Sequence, residues 1–129
     1  MSKTKYIFAG MLVLLILIAC NSTDKPTGVR DGILKDVKSI YTAVLEHTEN
    51  DLPIPDQVIT DLVYLDRDYT NADSVILSDE EIRLIDSVNN LAGANLMIIE
   101  AIEEGDTDAF NEYQKIYEDE ASALKPYFD

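Results

Sequence analysis

The stretch "SDEEIRLIDSVNNLAGANLMIIEAIEEG", Ser78–Gly105, decides how this chain folds. Ser78 and Glu81 stand at capping-box spacing, in which each side chain bonds the other's backbone amide at a helix start. Gly105 suits the left-handed residue that closes a helix. On a wheel of about 100° per residue, Leu84, Ile85, Val88, Leu91, Ala92, Leu96, Ile98, Ile99 and Ile102 cover nearly half the circumference. So broad an apolar arc predicts contact with several neighbours. This should be the central helix of an all-α domain.

The flanking segments supply those neighbours. From Val29 to Thr48, Ile33, Val37, Ile40 and Val44 recur at helical spacing, widened by Leu34, Tyr41, Leu45 and Thr48. "ENDLPIP" then stops the helix, because proline disfavours a helical residue before it. A short second helix begins at Pro55 or Asp56, with Val58, Leu62, Leu65 and Tyr69 on one face. The segment "DRDYTNADS" loses this period and reads as a loop. After the central helix, Asp106 is a good N-cap for a fourth, whose stripe is Phe110, Tyr113, Tyr117, Ala121 and Leu124. Pro126 should mark its end. The expected fold is a small antiparallel bundle of about four helices over residues 29–129.

The N-terminus is different in kind. An apolar block, Tyr6–Ala19, follows Lys3 and Lys5. At about 1.5 Å per residue it spans only about 21 Å, short of a bilayer core of about 30 Å. Basic residues, a short apolar run and a small closing residue are the parts of an export signal helix, to be cleaved away. Leu17-Ile18-Ala19-Cys20 resembles the lipobox of bacterial lipoproteins. That resemblance implies cleavage between Ala19 and Cys20, with Leu17 and Ala19 flanking the cut, and diacylglycerol on the Cys20 thiol. Cys20 is the sole cysteine, so an internal disulfide is excluded. Two acyl chains hold a protein stably at a membrane where one does not. Residues 20–28 then read as a lipid-anchored tether, and its eight residues Asn21–Gly28 reach at most about 28 Å. The expected location is a cell membrane, lipid-anchored and facing outside the cytoplasm.

Residues 20–129 keep all 25 carboxylates and eight of the ten cations, a net charge of about −17. Nucleic acid is therefore excluded as a partner, since binding it requires neutralising phosphates. A basic protein surface, a peptide or a cation is favoured.

Catalytic constellations are scarce. His47 is the only histidine and lies at the edge of a helix stripe, where it reads as a boundary residue. No phosphate loop or nucleophile elbow occurs. Read as a calcium loop, Asp66–Leu77 has Asn71 where glycine is needed and Leu77 where a bidentate Glu should stand. Glu103, Glu104, Asp106 and Asp108 crowd a helix junction and could form a weak cation site or a solvated corner. Asn95 lies in mid-arc, either as a polar core residue that sets register or as a contact in a ligand crevice. Gly93, beside Ala92 and Ala94, would let a helix or ligand approach closely. Met97 falls on the polar side beside Ile82.

No enzyme activity, cofactor or confident metal site is expected. The reading is a membrane-anchored lipoprotein serving as an interaction module in the bacterial envelope, with a basic-surfaced envelope protein as partner. In size, anchor and helicity it resembles exclusion or immunity lipoproteins. The alternative is an envelope lipoprotein that binds a small ligand or cation.

Overall fold

The computed structural model describes residues 28–70 and 76–129, and these form an all-α bundle of four helices. They are α1 (Asp31–Glu49), α2 (Asp56–Leu65), α3 (Asp79–Glu104) and α4 (Thr107–Phe128). The expected export signal with Leu17, Ala19 and Cys20, and the expected tether up to residue 27, lie outside the described residues, as do residues 71–75. Among the described residues no helix is long and apolar enough to cross a membrane.

Each helix ends as its local chemistry directs. The Ser78–Glu81 capping box forms at the start of α3, and Asp106 caps α4 by accepting from Ala109 N at 3.0 Å. Gly105 closes α3 at φ 68°, and Asp106 N donates to Ala101 O at 2.9 Å. α3 and α4 are thus joined by only two residues and must run antiparallel. At the end of α1, Asp51 adopts φ 54° while Leu52 N reaches back to His47 O and Asp51 N to Thr48 O. This is the same left-handed closure, made without glycine.

Consecutive helices alternate in direction, so α1 and α3 are parallel. Arg30 at the start of α1 meets Glu81 at the start of α3, and Thr48 at the end of α1 meets Asn95. Tyr127 near the end of α4 returns to Glu80, and Tyr69 beyond α2 returns to Asp36. The core is the predicted one in most positions. Ile33, Val37, Ile40 and Val44 of α1 pack with Leu84, Val88, Leu91 and Ile98 of α3, and Val58, Leu65, Tyr117 and Leu124 join them.

Several expectations need correction. α3 buries the most side chains, but α1 is the helix that packs against each of the other three. α2 reaches the core chiefly across α1. The apolar arc of α3 is only partly covered: Leu96, level with the end of α1, is 39% exposed, and Ile102, beyond that end, is 45% exposed. Gly93 faces open space, where an added Cβ would meet nothing within 4 Å. Asp66–Thr70 is no loop but a π-helical turn continuing α2. Its wider winding brings Tyr69 against α1, where Tyr69 Oη lies 3.2 Å from where a Cβ on Gly32 would be. Pro126 does not end α4, which continues to Phe128. Proline in a last turn forfeits one backbone bond without breaking what precedes it.

Candidate functional site

Asn95 is fully buried. Its Oδ1 accepts from Ile54 N at 2.8 Å, and its Nδ2 donates to Thr48 Oγ1 at 2.8 Å and to Leu52 O at 3.0 Å. Thr48 Oγ1 in turn donates to Val44 O at 2.7 Å. The amide therefore holds the connector between α1 and α2 onto α3. Both amide protons are committed to this chain, so the side chain acts as a polar core residue. Tyr117 lies beside the same node; burial raises its phenol pKa, the nearby Glu49 and Tyr41 add to this, and Thr48 opposes it.

A second polar node sits at the opposite end of the shared core. The Glu81 carboxylate is 2% exposed and accepts four hydrogen bonds. Oε1 takes Arg30 N and Arg30 Nε, both at 2.9 Å, while Oε2 takes Arg30 Nη2 at 2.9 Å and Ser78 N at 3.0 Å. Arg30 Nη2 also donates to Ile76 O, and Ser78 Oγ to Gly28 O. The Arg30 guanidinium, helped by the Ser78 and Arg30 amides and opposed by burial, lowers the Glu81 pKa to about 2. One carboxylate thus caps α3, pairs with Arg30 and fixes the place where the chain enters the fold. The capping spacing was visible in sequence; Arg30, fifty-one residues away, gave no local signal.

The acidic corner is dispersed. Glu103, Glu104, Asp106 and Asp108 are all exposed, and Asp106 is occupied as an N-cap. Among the described residues no group of three or more His, Cys, Asp or Glu side chains is arranged to hold a metal ion. His47 is half-buried and its Nδ1 bonds Ala43 O at 2.7 Å. Met97 is half-buried, and Ile82, about 22 Å away along the same helix and 42% exposed, does not join it in a patch. A cleft of about 360 Å3 lies between the start of α3 and the end of α4, lined by Glu80, Arg83, Ser87 and Tyr127 among others. Every buried side-chain nitrogen and oxygen among the described residues has a hydrogen-bond partner.

What composition alone concealed is where the charge lies. Residues 41–61 and 88–119, the half of the bundle far from Gly28, carry thirteen carboxylates and one cation, Lys115. Residues 28–40, 62–70, 76–87 and 120–129, the half at which the chain enters, carry ten carboxylates and six cations. The up-down topology sorts these segments into two poles. No known protein family, curated protein or solved structure matches this chain.

Proposed function

We propose that this protein is a bacterial envelope lipoprotein, held at the outer face of a cell membrane by diacylglycerol on Cys20, and that its helical domain is a protein-interaction module. The observation that carries this reading is the charge polarity relative to Gly28. With the Asn21–Gly28 tether limited to about 28 Å, the mixed-charge pole stays near the lipid surface and the acidic pole faces outward. An anionic surface repels the domain least in that orientation, and screening over about 8–10 Å shields the far pole from it. The outward pole attracts a basic partner from the same envelope. Exclusion or immunity at the membrane is one use of such a module and rests on the resemblance in size, anchor and helicity.

Crosslinking in intact membranes, followed by detergent extraction at low and high salt, tests the reading. A basic-surfaced envelope protein should be recovered, with a yield that falls as salt rises. Recovery indifferent to salt, or no partner, would contradict it.

A further inference from the structure

The α3 arc is open at Ile102, beyond the end of α1. α1 ends at Glu49, and its Thr48 side chain is level with Asn95. The connector turns there as well, with Leu52 O and Ile54 N bonded to Asn95. α3 continues for nine residues beyond Asn95, about 14 Å of helix. On the other arm, Tyr117 of α4 lies beside Thr48, so residues 107–116 accompany this extension. The tip of the α3–α4 hairpin therefore projects past α1 without a third helix.

The apolar arc of α3 does not stop where α1 does. Leu96, Ile99 and Ile102, each three residues apart, form a ridge along the projecting arm. Ile99 is 9% exposed, but Leu96 at 39% and Ile102 at 45% are open, and Leu52 beside Asn95 is 51% exposed. Carboxylates border this ridge: Glu49 and Asp51 at its foot, Glu100 and Glu103 along its side, all exposed. No lysine or arginine occurs in residues 88–114 or 41–61, and Lys115 on the α4 arm pairs with Asp119. An apolar strip with a one-sign border recognises a helix whose own strip is flanked by the opposite charge.

We infer that the projecting α3–α4 tip is a docking surface for a basic amphipathic helix of a partner protein, seated on Leu52, Leu96 and Ile102 in the place of a third helix. This rests on the interaction-module reading and specifies its contact.

The test uses residues 21–129 and two synthetic peptides of identical lysine and leucine composition, one patterned as an amphipathic helix and one scrambled. Methyl resonances of Leu52, Leu96 and Ile102 should move with the patterned peptide, and the scrambled one should bind at least ten-fold more weakly. Ile102→Glu, and independently Leu52→Glu, should weaken binding at least ten-fold. Ile82→Glu, on the exposed face near the opposite pole, should leave it within two-fold. Equal binding of the two peptides, shifts centred elsewhere, or self-association of the domain through this face would overturn the inference. Membrane crosslinking with the Ile102→Glu chain separates the two claims. If the salt-sensitive partner is recovered as with the unaltered chain, the docking surface is wrong and the module reading stands. If the unaltered chain recovers no partner, the module reading itself fails.

Discussion

At the scale of single residues, two buried polar side chains hold the fold together, and each makes a prediction. Glu81 has its pKa lowered from 4.5 to about 2. The folded state therefore binds fewer protons than the unfolded chain between these values, and stability from this group is complete above about pH 5 and is lost as pH falls toward 2. The shift corresponds to about 3 kcal/mol, but Arg30 is 49% exposed and solvent screens the pair, so about 2 kcal/mol is expected. In urea unfolding, Glu81→Gln should be less stable than the unaltered chain by about this amount at pH 7. The gap should close as pH approaches 2; a gap that persists there would contradict the ion-pair account. Asn95→Ala leaves Ile54 N and Leu52 O without their buried partner and should cost about 3 kcal/mol. Asn95 was legible in sequence because a lone amide in an apolar arc stands out. Its three partners were not, since they come from the last turn of α1 and the connector after it, more than forty residues away.

At the scale of elements, helices and their ends were the most legible part, because capping and periodicity are local. Ser78, Gly105 and Asp106 do what their residue types suggest. The failures arise where a neighbour decides the outcome. Ile102 lies on the apolar arc yet remains open, because the wheel records direction and not the length of the helix alongside. The π-helical turn at Asp66–Thr70 escaped a test based on a period of 3.6. Gly93 suggested close packing but faces solvent in mid-helix, where glycine has only its entropic cost. Gly93→Ala should accordingly stabilise the domain by about 0.5–1 kcal/mol, seen as a higher urea midpoint with unchanged slope. Loss of stability in that variant would mean that something packs at this position.

At the scale of the whole molecule, four helices in alternating direction convert a net charge into a polarity. Thirteen carboxylates gather at the pole away from Gly28, while six of the cations share the other pole with ten. Net charge is a sum over the sequence and cannot contain this; topology supplies it. The functional proposal depends on which pole is tethered, and hence on the fate of Cys20. The most direct measurement is the intact mass of the chain extracted from bacterial membranes, with fragmentation of its N-terminus. The account predicts a chain beginning at Cys20 with diacylglycerol on its sulfur, and loss of membrane association in Cys20→Ala. A chain that retains Met1–Ala19, or one whose Cys20 carries a free thiol, would contradict it.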